Sequence, residues 1–238
     1  MNDSEVLFYR HIEDSECGYL PNLKSNSIFI DPDSEPTKDQ LNLLHLQGFR
    51  RSGKLVYRPH CPNCNACQSC RIINPEFRAS KNQNKAIKRN QDLSLHWSEA
   101  AFNNEHYQLY QRYINQRHQD GEMFPASEEQ YQGFLIEGYG THKFLELRDA
   151  EGTLIGCCVV DIFYDGLSAI YSYFDPDQPR RSLGRYIVLA LISECQQQGL
   201  PYTYLGYWIK NANKMSYKAD YQPLEVFDGQ FWRKLVVK

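Results

Sequence analysis

The sequence predicts an α+β fold, a sheet built largely as an antiparallel meander with a long apolar helix packed on it. Three observations carry that expectation. Lys143 to Arg148, Leu154 to Tyr164 and Leu167 to Phe174 read as successive strands, joined through Ala150-Glu151-Gly152 and by the hairpin turn Asp165-Gly166. Ser182 to Gln198 then reads as an apolar helix closed by Gly199. Tyr202 to Trp208 and Leu224 to Phe227 supply further strands after it, and that order yields a sheet covered by a helix.

The elements ahead of the meander follow from local signals. Asp31 to Pro36 is a loop, Thr37 is placed to cap a helix over Lys38 to Gln47, and Gly48 stops it. Gly48 to Pro75 reads as loop with short strands, and Ser80 to Asn90 as helix. Asp92 to Trp97 alternates as a strand and opens a second domain, dividing the chain into 1–91 and 92–238. Asn104 to His118 is helical, and Ser127-Glu128-Glu129-Gln130 is a capping-box pattern opening a helix through Glu137.

Composition narrows the function. With 238 residues, 42% hydrophobic and 23% charged, the chain can bury a substantial core. A net charge of −3 excludes an indiscriminate polyanion binder, so any nucleic-acid site is a local patch. Met1 to Val6 is acidic and lacks the basic region and apolar core of a signal peptide. Apolar runs such as Tyr186 to Ile192 are too short to cross a bilayer. A cytoplasmic protein with reduced thiols and no membrane partner is expected.

Half of the eight cysteines fall in ten residues: Cys61, Cys64, Cys67 and Cys70, at three-residue spacing. In a reduced compartment this suits zinc or an iron–sulfur cluster, with Cys17 able to replace one ligand. The alternative is a set of small buried thiols in a loop-rich domain. Basic segments flank the run on both sides. Arg50, Arg51, Lys54 and Arg58 precede it, and Arg78, Lys81, Lys85, Lys88 and Arg89 follow at helical steps that form one positive face. Such a face is either simply solvated or neutralises phosphates; its place beside the cysteines points to RNA contact. Arg180-Arg181-Ser182-Leu183-Gly184-Arg185-Tyr186 opens the apolar helix, where backbone N–H groups favour anions. Arg181 and Gly184 fit the diphosphate loop of coenzyme-A-dependent N-acetyltransferases, but Tyr186 puts a ring where that loop needs a small residue. Cys157 and Cys158, inside an apolar strand, read as core.

Taken in order, these motifs resemble the bacterial aspartate/glutamate leucyltransferases of the aminoacyl-tRNA–protein transferase family. The resemblance rests on Cys17-Gly18-Tyr19-Leu20-Pro21, Gly48-Phe49-Arg50-Arg51-Ser52-Gly53, Tyr57-Arg58-Pro59-His60-Cys61 and Cys64-Asn65-Ala66-Cys67. It continues through Arg71, the Ser80 to Asn90 helix, Tyr171-Ser172-Tyr173-Phe174-Asp175-Pro176 and Ser182-Leu183-Gly184. Tyr204-Leu205-Gly206-Tyr207-Trp208-Ile209 and Lys214-Met215-Ser216-Tyr217-Lys218 complete it. The resemblance implies a cysteine-bearing N-terminal domain joined to a GNAT-like acyltransfer domain. It implies transfer of leucine from leucyl-tRNA to proteins that begin with Asp or Glu, marking them for degradation. Leu20 stands where related arginyltransferases carry a second cysteine, so a four-cysteine site would draw on the Cys61 to Cys70 run.

For that reaction an arginine clamp on the acidic side chain is expected from Arg50, Arg51 and Arg58. Asp161 and Tyr171 are the candidates for holding the amine or moving its proton. Arg185, Lys210, Lys214 and Lys218, with the basic helix, are the candidates for the tRNA. Transfer itself calls for no cofactor. Competing readings are an arginyl donor, a coenzyme-A-dependent N-acyltransferase, and a metal-dependent RNA-binding or redox-sensing protein without catalysis.

Overall fold

The computed structural model describes residues 8–10, 15–31 and 33–236, so the acidic segment Met1 to Val6 lies outside the described residues. Strands β1 (Phe8–Arg10), β2 (Ser15–Glu16), β3 (Lys24–Ser25) and β4 (Ser27–Ile30) precede helix α1 (Lys38–Leu46). Strands β5 (Arg50–Ser52), β6 (Leu55–Pro59) and β7 (Gln68–Ile73) lead to α2 (Lys81–Arg89). There follow β8 (Ser94–Glu99), α3 (Asn104–Arg117), α4 (Glu128–Tyr131), β9 (His142–Arg148), β10 (Leu154–Phe163) and β11 (Gly166–Phe174). The chain closes with α5 (Leu183–Gln197), β12 (Tyr202–Trp208), α6 (Asn213–Ser216), β13 (Leu224–Phe227) and β14 (Trp232–Lys234).

Local chemistry sets these boundaries. Thr37 and Ser80 each accept from the backbone of the residue three positions on, and Gln40 and Gln83 return the bond, so α1 and α2 both start on complete capping boxes. Gly48 and Gly199 take positive φ just past α1 and α5. Ser127 accepts from Gln130 N, but regular helix stops at Tyr131 and Gln132–Ile136 widens into a π turn, short of the expected helix through Glu137.

Eight strands form the main sheet in the order β14-β13-β7-β12-β11-β10-β9-β8, and four form a smaller one, β1-β4-β6-β5. The α+β layout is therefore present: the β8–β11 meander is antiparallel, and β11 runs parallel to β12 across the connection through α5. Along β10 the side chains alternate between two cores. Cys157 and Val159 pack with Tyr107, Tyr110 and Ile114 of α3, whereas Cys158 and Val160 pack with Leu183, Ile187 and Leu191 of α5. Cys157 and Cys158 are fully buried, as expected of core thiols.

Sheet membership does not change at the expected 91/92 division. β7 lies between β12 and β13 in the main sheet, and Ala86 of α2 packs with Val188 and Ile192 of α5. The smaller sheet is fastened to the main one by a buried pair: Arg51 Nε lies 2.8 and 3.0 Å from the two carboxylate oxygens of Asp161 on β10.

Candidate active site

The site is a consequence of two bulges on facing strands. β11 pairs with β12 only over Gly166–Ser168 and Tyr202–Tyr204. Beyond that, Val159 faces Tyr171 while Val160 faces Ala169, which leaves Ile170 as an extra residue in β11. On β12, Tyr204 faces Arg71 and Tyr207 faces Ser69, so Leu205-Gly206 also holds one residue too many, with Gly206 at φ +76°. A bulge bends its strand and interrupts the ladder. The two strands therefore splay, opening a cleft of about 460 Å³ lined by Tyr113, His118, Tyr171, Leu205, Met215 and Lys218, with Gly184 and Ile187 from the first turns of α5.

The three candidate clamp arginines separate sharply. Arg51 is committed to Asp161, and its Nη1 also donates to Glu137 O at 3.1 Å. Arg58 is partly exposed, donates to Gln47 O at 2.9 Å and lies over the Phe49 ring. Arg50 is different: it is 7% exposed, its Nη1 is buried without a hydrogen-bond partner, and it has no ion pair among the described residues. Strand β5 holds it opposite Tyr57 in the β5–β6 ladder. Tyr207 anchors that ladder to β12 by placing its hydroxyl 3.2 Å from Tyr57 O and from Gly48 O.

Two expected roles need correction. Asp161 does not face the cleft; it is 6% exposed and bound to Arg51, so it is a structural ion-pair partner rather than a group that handles the amine. Lys218 is not an exposed tRNA contact. It is 6% exposed and donates from Nζ to Tyr207 O at 2.6 Å, at the wall of the cleft. Chiefly burial, with the Arg50 charge beside it, pulls its ammonium down to about 8. Tyr171 does line the cleft, and burial raises its phenol far above its ordinary value, so it stays protonated and keeps an O–H to donate.

Two family models match this chain: the C terminus of arginine-tRNA-protein transferase over residues 105–228 and its N terminus over 15–85. Proteins named aspartate/glutamate leucyltransferase are similar along almost its whole length. That of Pseudomonas fluorescens strain Pf-5 is 45% identical, covering 98% of both chains. That of Chromohalobacter salexigens is 46% identical over 92% of this chain and 90% of its own, and that of Teredinibacter turnerae 44% over 91% and 89%. The chain belongs to the aspartate/glutamate leucyltransferase family.

Exposed cations lie along and before α2 and beyond β12. Lys81, Lys85 and Lys88 are exposed along α2, as are Arg78 and Arg89, which donate to nearby backbone carbonyls. Lys210 is exposed beyond β12, while Arg185 and Lys214 sit at 3.8 and 3.7 Å from Asp220 and Asp120, long contacts for exposed groups. The α5 loop does not offer a free diphosphate cradle. Arg181 donates to both oxygens of Asp92 at 2.9 and 2.8 Å, and the Phe174 ring lies 3.0 Å from where a Cβ on Gly184 would sit.

The cysteine run divides. Cys17, Cys61, Cys64 and Cys67 line one pocket of about 120 Å³ with Tyr19 and Tyr57. Leu20 N donates to Cys17 Sγ and Asn26 N to Cys61 Sγ. Burial, reinforced by the other three sulfurs, pushes the Cys67 thiol up to about 12. Cys70 leaves the group: it lies on β7, fully buried in the core beneath α5, and so is no ligand candidate. Among the described residues no three His, Cys, Asp or Glu side chains are gathered closely enough to hold a metal ion, so a metal would need these sulfurs drawn together.

Sequence reasoning missed Gly206 and the buried state of Lys218. A glycine inside the strand pattern Tyr204-Leu205-Gly206-Tyr207-Trp208 is a bulge signal and was available. Lys218 sits in a polar segment that carries no burial signal. His118 Nε2 is also buried at the cleft with no hydrogen-bond partner among the described residues.

Proposed function

We propose that this chain transfers leucine from leucyl-tRNA to the α-amine of proteins whose first residue is Asp or Glu, marking them for degradation in the cytoplasm. The observation that carries this reading is Arg50, a buried guanidinium with no carboxylate partner among the described residues, held where the small sheet meets the splayed strand β12. A buried charge is tolerable when a partner arrives to neutralise it, and an acidic side chain is such a partner. No helix among the described residues is long and apolar enough to cross a membrane.

The chemistry asks little more than alignment. An α-amine has a reference pKa of about 7.7–8.0, so roughly a tenth or more is already the free nucleophile near neutrality. Its nitrogen attacks the ester carbonyl of leucyl-tRNA, the C–N bond forms, and the ester C–O bond breaks. The ribose oxygen leaves with one of the amine's two protons, and the other stays on the nitrogen of the new amide. Charge develops on the carbonyl oxygen, where a hydroxyl that stays protonated, such as Tyr171, is suited to donate to it. The exposed cations of α2 and the cleft rim are suited to the tRNA. Label transfer from leucyl- and arginyl-tRNA to peptides starting with Asp, Glu or Ala tests the reading. Transfer of leucine confined to the acidic peptides is expected; no transfer from either tRNA would sink it. Saturable acetyl-coenzyme-A binding would favour the N-acyltransferase alternative, against which stand Tyr186 and the Arg181–Asp92 pair.

Zinc or an iron–sulfur cluster, proposed from residue type, would take Cys17, Cys61, Cys64 and Cys67, and no step of the transfer is routed through it. Elemental analysis of the purified chain is expected to find bound metal that Cys64→Ser removes and Cys70→Ser retains. Equal retention in both variants would dismiss these ligands.

A further inference from the structure

Gly206 marks a gap bordered by positive charge. A Cβ placed there would lie 3.6 Å from Arg50 Nη2 and 3.8 Å from Lys218 Nζ, and no other atom outside Gly206 and its chain neighbours comes within 4 Å. Both cations are more than nine-tenths buried, and neither has an ion pair among the described residues. Arg50 Nη1 has no hydrogen-bond partner among the described residues. Lys218 spends one donor on Tyr207 O and lies 3.2 Å from the Met215 sulfur, a weak acceptor. Two cations converging on one empty spot repel each other unless an anion enters.

We propose that Arg50 and Lys218 together receive the side-chain carboxylate of the incoming N-terminal Asp or Glu, and that Gly206 is kept bare to admit it. The inference rests on the leucyl-transfer reading and adds to it the second cation and the space. The bulge serves it twice: it gives Gly206 the positive φ that a side chain resists, and it places Tyr207 O where Lys218 is anchored. A carboxylate suits the spot better than a tRNA phosphate. Lys218 lines the cleft and both cations of the pair are more than nine-tenths buried, whereas the cations of α2 are exposed to solvent.

The experiment uses the full chain, leucyl-tRNA, and peptides identical except for Asp or Asn at the first position. KM and kcat are measured separately for peptide and for leucyl-tRNA, in wild type and in Gly206→Ala, Lys218→Met and Lys218→Arg. Wild type is expected to prefer Asp. Gly206→Ala and Lys218→Met are expected to raise KM for the Asp peptide roughly thirtyfold or more, collapse the Asp-over-Asn preference, and leave KM for leucyl-tRNA unchanged. Lys218→Arg keeps the charge and is expected to retain much of the preference. Because Gly206→Ala strains the backbone, the preference ratio rather than the absolute rate is the readout. A preference intact in both Gly206→Ala and Lys218→Met, or an effect confined to leucyl-tRNA, overturns the carboxylate site. If wild type transfers no leucine, the reading of the activity fails instead. The cation pair is then judged by calorimetry, where Asp-peptide binding lost in Lys218→Met supports it and binding retained overturns it.

Discussion

Arg51→Ala is expected to lower the free energy of unfolding by about 3–5 kcal/mol, because it leaves the Asp161 carboxylate buried without its partner. The two side chains are 4% and 9% exposed, Arg51 Nη2 reaches Asp161 Oδ1 at 2.7 Å, and Nε contacts both oxygens. The pair joins β5 to β10 across 110 residues of chain, so its loss also loosens the small sheet from the main one. In a chain of this size each kcal/mol moves the melting temperature by about 2–4 °C, which puts the fall at roughly 6–20 °C. Asp161→Leu is expected to cost as much, by stranding the guanidinium. The double variant Arg51→Met with Asp161→Leu is expected to recover most of the loss, since exchanging a whole buried ion pair for apolar packing is often neutral. Thermal melts of the three variants decide the matter. A loss below about 1 kcal/mol in Arg51→Ala, the range of an ordinary surface pair, would contradict this role for the pair.

What the sequence could disclose depended on how local the cause was. The N-cap at Thr37 and the glycine stops at Gly48 and Gly199 involve residues within one helical turn and appear where expected, and the helix expected over Ser80 to Asn90 starts on a capping box at Ser80. β12 and β13 have the expected bounds for the same reason: short apolar runs punctuated by turn residues. The insertion of β7 into the main sheet was not legible. Its residues follow a cysteine run that dominated the reading, and its partners, Tyr202–Trp208 and Leu224–Val226, lie more than a hundred residues away. The Arg51–Asp161 pair was hidden similarly, as two residues each proposed for a different role. One clue was present: neighbours on a strand point in opposite directions, so Arg50 and Arg51 were poorly placed to share a ligand.

That divergence makes the two arginines respond oppositely. Arg50→Met is expected to leave stability unchanged or raise it, because it removes a desolvated cation that no carboxylate compensates in the free protein. The same substitution is expected to weaken transfer to an Asp peptide by about 2–4 kcal/mol in kcat/KM, roughly a 30- to 1,000-fold loss. Transfer to an Ala peptide, which has no carboxylate to lose, is expected to change little. Methionine keeps the stem's apolar volume, so a fall in acidic-peptide transfer without a fall in melting temperature isolates the charge from the packing. If Arg50→Met instead melts early, as Arg51→Ala does, Arg50 is a structural cation whose partner lies outside the described residues. If it folds normally and still prefers Asp over Ala, another group recognises the acidic residue. A protein that tolerates an uncompensated charge in its interior sacrifices stability for function. In this chain that charge lies one residue from another arginine that is fully paired, so a single tripeptide strand carries one cation for the fold and one for the substrate.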